Sequence, residues 1–291
     1  MQEAMARAQA LTCWSGKVRP EIIKGGITNA NFRVEDRGRR YFVRIGDDIP
    51  VHGVMRFNEL AASKAAAACG LSPEVIHAEP GALVFEFVDG KTLAAEDVRR
   101  PDMLARILPL IRKCHHEMPL HIAGPALIFW VFHVLRDYGH SLVAGKSRHV
   151  ATLPRLLGIA AELEKTVGPV EIVYGHNDLL PTNFIDAGAR LWLIDWDYAG
   201  FNSPLFDLAN LCSNNEVAVA DETRLLEAYF ERPADAGLLR RYHAMKCASL
   251  LRETMWSMIS EIHSPLDFNY AAYTAENLAR FERAHGDFRN M

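Results

Sequence analysis

Three oxygen-bearing side chains between Val173 and Asn210 are spaced as if to share one task. His176-Asn177-Asp178 stands just past the apolar run Glu171–Tyr174, Asn183 follows five residues after Asp178, and Asp195 ends a second run, Leu191–Ile194. Carboxylates and an amide gathered on loops make a hard-oxygen site, which suits Mg²⁺ better than zinc. Magnesium takes one or two protein carboxylates and leaves its other positions to water and phosphate. Asn183 and Asp195 fit that duty, and Asp178 is suited to face a substrate hydroxyl. Phosphoryl transfer needs such an arrangement: a metal on the phosphates, a base orienting the nucleophile, and little covalent work. Any one of these residues alone reads as an ordinary polar group on a solvated hairpin. The ordered set is what carries the reading.

The elements that must position them are short. Glu171–Tyr174 and Leu191–Ile194 are dominated by β-branched and aromatic residues, which predicts buried strands. Asp186-Ala-Gly188-Ala supplies a turn, so the two strands are expected to pair and bring the three side chains together.

His176-x-Asp178-x-x-x-x-Asn183 followed by Ile194-Asp195-Trp196 resembles the catalytic loop and metal-binding Asp of kinase-like small-molecule phosphotransferases. Protein kinases carry H-R-D-x-x-x-x-N and D-F-G at these places. Here Asn177 replaces the Arg and Trp196-Asp197 the Phe-Gly, which points to the aminoglycoside, thiamine and choline/ethanolamine kinase group. The resemblance implies an α+β, two-lobed protein-kinase-like fold: an N-terminal antiparallel sheet with one main helix, then a larger, mostly helical C-terminal lobe. It implies ATP and Mg²⁺ as cofactors, Asp178 and His176 as the catalytic pair, His176 at least supporting the loop, and Asn183 and Asp195 as metal ligands.

The N-terminal part alternates strands and turns. Val18–Ile23, Asn31–Val34 and Arg40–Ile45 read as successive strands, broken by Gly25-Gly26 and by Asp36-Arg37-Gly38. The turn Gly25-Gly26-Ile-Thr28-Asn29 can bring backbone N–H groups close to a phosphate. Arg44 sits on an apolar strand, and a cation pointing into a core needs a partner. The Ala-rich helical stretch Phe57–Cys69 offers Glu59. Such a pair is how kinases hold the α- and β-phosphates, and the resemblance has Arg commonly at this position in choline kinases. Glu86-Phe-Val88-Asp-Gly90 resembles a hinge that binds adenine through its backbone, so Glu86 and Val88 are nucleotide-site candidates. The lobe boundary is set there: 1–88 for the nucleotide-binding lobe, 89–291 for the catalytic and substrate-binding lobe.

Beyond the hinge the pattern is helical. Asp102–Glu117 carries an apolar stripe and ends in Cys114-His115-His116; consecutive residues on a helix face different directions, so the histidines are read as structural rather than metal-binding. Phe129–Leu142 and Pro154–Val167 precede the central stretch. Asp207 opens a further helix and is assigned to bracing the catalytic loop; Asp221–Phe230, Leu238–Ile262 and Asp267–His285 complete the chain.

The chain has 291 residues, 49% hydrophobic and 23% charged, with a net charge of −4. These values describe a globular protein with no basic field for nucleic acid. No apolar run approaches the ~20 residues of a membrane span. Met1–Ala10 reads as a surface helix, without the apolar centre of a signal peptide. Five scattered cysteines with no C-x-x-C pair fit reduced thiols in a cytoplasmic protein.

The acceptor is read from the last third. Phe206-Asp-Leu-Ala-Asn210, Met255-Trp256-Ser-Met-Ile and Leu266-Asp-Phe268-Asn-Tyr270-Ala-Ala-Tyr273 follow in the order seen in choline/ethanolamine kinases, and the resemblance runs from about Gly25 to Phe281. A quaternary ammonium donates no hydrogen bonds and is held by ring faces and nearby acids. Trp256, Tyr270 and Tyr273 are expected to form part of such a cage, with Asp178 and Asp197 as acidic neighbours. Eukaryotic choline kinases tend to show two Trp three residues apart here, but this chain has Glu253 at the earlier place, which suits a primary ammonium or marks another amine alcohol. The expected partner is thus a small amino-alcohol substrate, choline or ethanolamine first, with thiamine and aminoglycosides as alternatives; a homodimer is compatible with it. From another class, a catalytically silent nucleotide-binding protein remains the rival, set against it by the intact Asp178, Asn183 and Asp195.

Overall fold

The computed structural model describes residues 1–23, 29–264, 266 and 268–291. In chain order the elements are α1 (Gln2–Gln9), β1 (Glu21–Ile23), β2 (Ala30–Asp36), β3 (Arg39–Ile45), α2 (Arg56–Ala68), β4 (Val75–Glu79), β5 (Ala82–Glu86), β6 (Lys91–Thr92), α3 (Ala95–Val98) and α4 (Pro101–His116). There follow α5 (Val131–Ala144), α6 (Leu153–Val167), β7 (Val173–Gly175), β8 (Phe184–Asp186), β9 (Leu191–Leu193), β10 (Gly200–Asn202), α7 (Pro204–Asn215), α8 (Val219–Phe230), α9 (Ala236–His263) and α10 (Tyr270–Arg289).

Strands β1 to β5 form one antiparallel sheet in the order β1-β2-β3-β5-β4. Side chains alternate across a strand, and β3 shows what that does here. Val43 and Ile45 join Phe32, Val34, Val84 and Ala8 of α1 in a small core on one face. Phe42 and Arg44 point the other way, into a cavity. The terminal helix is therefore seated by Ala8, which is fully buried, and Arg7 reaches Asp47 at 3.2 Å. Across the sheet, the small side chains Ala62, Ala65 and Ala66 bring α2 close to the main core, which continues into the helical part.

That helical part is organised on α9, a 28-residue helix packed by α5, α6, α7 and α10. Its buried residues lie all round the helix, the signature of a central element rather than a surface one. This is a two-lobed, protein-kinase-like fold, as the resemblance implies. No helix among the described residues is long and apolar enough to cross a membrane.

The strand pairing around the central motif differs from expectation. β7 pairs antiparallel with β10, not with β9. β9 pairs with β8, and β8 also takes β6, giving a separate three-stranded sheet. The turn at Asp186–Gly188 does close a hairpin, but one that starts at Phe184; Gly188 adopts φ +78° and donates its N–H to the Asp186 side chain at 3.0 Å. Adjacent short strands close a smaller loop than distant ones, which favours β8 over β7 as the partner.

Candidate active site

A cavity of about 520 Å³ lies between the five-stranded sheet and the helical part. Its walls include Arg44, Glu86, Val88, Asp178, Asn183, Asp195, Asp197, Glu253, Trp256 and Tyr273, so one space collects most of the site residues read from the sequence. Gly25, Gly26 and Thr28 lie outside the described residues. Asn29 is described, and its amide donates to Asp197 Oδ2 at 3.1 Å while its oxygen accepts from Arg56 Nη2 at 2.7 Å.

At one end is a cluster of ion pairs. Arg44 Nη1 lies 2.6 Å from Glu59 Oε1, 3.0 Å from Asp195 Oδ1 and 3.2 Å from Asp197 Oδ1. The strand cation and the helix carboxylate thus pair as expected, with Glu59 in the first turn of α2. Arg56, one turn earlier in α2, was not singled out from the sequence. Its Nη1 reaches Glu59 Oε2 at 2.5 Å and Asp197 Oδ1 at 2.8 Å. Two guanidiniums face three carboxylates, and the imbalance appears in their protonation. Burial raises Asp195, but Arg44 more than offsets it and holds the carboxyl below its ordinary value. Burial and the charge of Asp195 push Asp197 up despite Arg44 and Arg56.

The catalytic-loop segment is fixed from behind. Asp207, near the start of α7, accepts the backbone N–H of His176 at 2.8 Å and of Asn177 at 2.8 Å, and His115 Nε2–H at 3.0 Å. Asn210, one turn on, accepts the Leu179 N–H at 2.6 Å. Asn177 takes φ +66°, and its amide donates to the Tyr198 carbonyl at 2.9 Å. A Cβ on Gly175 would meet Asn177 Oδ1 at 2.7 Å, so the bend needs glycine there. His115 is structural, as expected, with Tyr229 Oη on its other nitrogen at 2.7 Å.

His176 is buried and does not line the cavity. Its Nε2–H donates to the Ile194 carbonyl at 2.9 Å, and Nδ1 accepts the Asp178 N–H at 3.2 Å. Both ring nitrogens are used, which fixes the tautomer. The expectation of a catalytic His176 is therefore corrected to support: the ring ties the Asp178 loop to the strand end before Asp195.

Asp178 keeps 15% of its side-chain surface exposed and faces the cavity. Burial is the main influence on its carboxyl and lifts it to about 8; Arg252 opposes this, and Glu253, Asp195 and Asp197 add to it. Asn183 donates its side-chain amide to the Asp178 backbone carbonyl at 2.8 Å, leaving its side-chain Oδ1 without a hydrogen bond among those described. Asp195, at φ +70°, carries its carboxylate on a left-handed turn.

The opposite end is built from α9 and α10. Glu253 accepts from Tyr273 Oη at 2.7 Å through one oxygen and from Arg252 Nη1 at 3.1 Å through the other. Trp256 donates its indole N–H to Tyr198 Oη at 2.9 Å. Tyr270 does not line the cavity: it is buried with its hydroxyl 2.8 Å from Ser264 Oγ and its ring 6.2 Å from Trp256. As the first residue of α10 it packs behind Trp256, which corrects its expected place in the cage. Asp197, expected near the acceptor, is instead held by Arg44, Arg56 and Asn29 at the other end.

Comparison with known proteins gives the family. Residues 21–231 match the family model described as Choline/ethanolamine kinase. The chain belongs to the choline/ethanolamine kinase family. As a member it is an ATP-using phosphotransferase with an alcohol group as acceptor. Ethanolamine kinase 2 of Mus musculus is 28% identical, the match covering 88% of this chain and 74% of that protein. The crystal structure of a choline/ethanolamine kinase family protein from Mesorhizobium loti superposes with a TM-score of 0.76 at 29% identity, covering 97% of this chain and 94% of the other. The choline kinase LicA from Streptococcus pneumoniae shares the fold, with a TM-score of 0.75 at 22% identity over 93% of this chain and 95% of that one.

Within this choline/ethanolamine kinase family chain, sequence reasoning missed Arg56, Asn210 and Arg252. Asn210 carried a usable signal, its three-residue offset from Asp207, which sets both on one face of α7. Arg56 carried one too: it precedes Glu59 by the same offset. Arg252 carried none, because nothing local distinguishes it from a surface arginine.

Proposed function

We propose that the chain transfers the γ-phosphoryl group of ATP to the hydroxyl of choline or ethanolamine. The observation that carries this is one cavity with Asp178 between two unlike ends: Arg44, Asn183 and Asp195 on one side, Glu253, Trp256 and Tyr273 on the other. The hinge residues Glu86 and Val88 line the same space and take the adenine through their backbone. The lobe boundary after Val88 is supported by the strand partners, since β5 ends the five-stranded sheet and β6 pairs into the helical part.

The donor chemistry at the phosphate end fits Mg²⁺. Asn183 and Asp195 offer hard oxygens, and three carboxylates against two guanidiniums favour a divalent cation. Asn183 and Asp195 would hold the metal, which when bound would supply charge neutralisation to the phosphates. Arg44, held by Glu59, clamps a phosphate oxygen. Asp178 accepts a hydrogen bond from the acceptor hydroxyl and so aims its oxygen at the γ-phosphorus. An elevated carboxyl suits a general base, whose effectiveness peaks with a pKa near the operating pH. At the far end, Glu253 with the Trp256 and Tyr273 rings holds the ammonium. Free thiols throughout support a reducing, cytoplasmic setting.

The test is ADP release from ATP–Mg²⁺ with choline, ethanolamine, thiamine and kanamycin offered separately. Turnover with choline or ethanolamine supports the assignment; turnover with thiamine or kanamycin alone overturns the acceptor. Asp178→Asn should abolish turnover while nucleotide binding survives, and loss of nucleotide binding would assign Asp178 to the metal instead.

A further inference from the structure

Arg252 is a charged group that the reaction as proposed does not use. It stands on α9 beside Glu253 and is 2% exposed. Its guanidinium carbon lies 4.3 Å from the centre of the Tyr198 ring and 5.6 Å from that of Phe129. Nη1 is 3.1 Å from Glu253 Oε2 and 3.6 Å from Asp178 Oδ1. Nε and Nη2 are buried with no partner among the described residues. Burial opposes its charge, but Tyr138 and Tyr198, followed by Glu253 and Asp178, more than offset it, and the guanidinium stays charged.

The Tyr198 ring, which lines the cavity with Asp178, is thus engaged by a cation of the chain's own, backed by Phe129. Trp256 also commits one face to His52, with ring centres 5.0 Å apart. A quaternary ammonium depends on such faces, because it has no N–H to donate. A protonated primary amine depends on them far less: it can make charge-assisted hydrogen bonds to carboxylate oxygens. Beside the remaining Trp256 face and Tyr273, this end offers carboxylate oxygens: each oxygen of Glu253 accepts one bond and has capacity for another.

We propose that Arg252 determines acceptor specificity: by filling the Tyr198–Phe129 ring box and fixing Glu253, it selects an alcohol bearing a primary ammonium, ethanolamine over choline. This rests on the amino-alcohol reading given above.

The experiment compares kcat/KM for ethanolamine and choline in wild-type protein, Arg252→Met and Arg252→Lys. Wild type should favour ethanolamine by roughly tenfold or more. Arg252→Met, which vacates the rings, should collapse that ratio by a similar factor, and Arg252→Lys, which keeps a cation among them, should retain most of it. Equal use of both acceptors by wild type, or a preference for choline, overturns the inference. So does an equal loss on both acceptors in Arg252→Met with ATP binding intact, which would make Arg252 only a brace for Asp178. Turnover with neither acceptor, while ATP–Mg²⁺ still binds, overturns the amino-alcohol reading itself and this inference with it. Should Arg252→Met fail to fold, thermal shifts of wild-type protein with ADP plus methylammonium or tetramethylammonium decide: a larger shift with methylammonium supports the proposal and the reverse refutes it.

Discussion

Replacing Asp207 with Asn tests whether the catalytic loop is held from behind as its hydrogen bonds indicate. Asp207 is 1% exposed, and its two oxygens accept three N–H groups. Oδ2 takes His176 N–H and His115 Nε2–H, and Oδ1 takes Asn177 N–H. Burial alone would raise this carboxyl, but His115 and the loop N–H groups hold it below its ordinary value, so it is ionised at neutral pH. An amide of the same shape has a single acceptor oxygen. If that oxygen keeps the Oδ2 contacts, the new NH₂ confronts the Asn177 N–H; if it keeps the Oδ1 contact, two donors are left opposed. Taking a charged acceptor away from buried N–H donors costs about 1.5–3 kcal/mol. At about 2–4 °C per kcal/mol for a large domain, the melting temperature should fall by roughly 3–12 °C. Because the loop carries Asp178, kcat should also drop by about 100-fold with misplacement near 1 Å, while nucleotide affinity changes little. Thermal unfolding by circular dichroism and steady-state ADP release supply both readouts. A variant that melts within about 2 °C of wild type with kcat unchanged would refute the brace.

Glu59→Gln removes the partner shared by Arg44 at 2.6 Å and Arg56 at 2.5 Å; calorimetric titration with ATP–Mg²⁺ should show affinity weakened by roughly tenfold or more, given about 3–5 kcal/mol for a broken buried pair, and unchanged affinity would contradict the clamp. His52 is held neutral chiefly by burial, with its pKa lowered from 6.5 to about 3. The unfolded chain therefore takes up a proton that the folded one refuses, so stability present above pH 6.5 is lost as pH falls toward 3, by up to about 1.4 kcal/mol per unit. Denaturant midpoints at pH 7 and 5.5 should show this loss in wild type and not in His52→Gln, and equal losses in both would count against it. Gly90→Ala places a Cβ 2.6 Å from Ile185 Cγ2 and 2.8 Å from the Asp186 carbonyl; melting should report a cost of about 1–3 kcal/mol. Of the five free thiols only Cys13 is not buried, so a thiol reagent should label one group quickly in native protein and all five after denaturation.

Features set by local spacing were legible in the sequence. Arg44 could be placed because strand alternation and an Ala-rich helix with an early Glu leave it one sensible partner. Asp178, Asn183 and Asp195 were legible from their order, although the strands proposed to join them were paired wrongly. β7 and β10 are three residues each, and Gly200-Phe-Asn202 has no β-branched residue to announce a strand. Their pairing is fixed by tertiary contacts, such as the Asn177 amide donating to the Tyr198 and Gly200 carbonyls at 2.9 and 3.2 Å. Tyr270 was misplaced for a related reason: a residue at a helix start has no periodic neighbours on its N-terminal side to say which way it faces.

Arg252 was illegible on stronger grounds. Consecutive helix residues usually point apart, so adjacency to Glu253 argues against a pair, and a helix buried all round offers no polar stripe against which a buried cation stands out. Only the assembled cavity shows the consequence. At the acceptor end, Asp178 and Glu253 face Arg252; at the phosphate end, Glu59, Asp195 and Asp197 face Arg44 and Arg56. Each end has one carboxylate more than it has guanidiniums. On the function proposed above, that spare negative charge would be met by a divalent cation with the triphosphate on one side and by the acceptor's ammonium on the other. The excess is small because the arginines are there. If Arg252 acts as proposed, its loss should let the acceptor end hold small cations more tightly and weaken its discrimination between them.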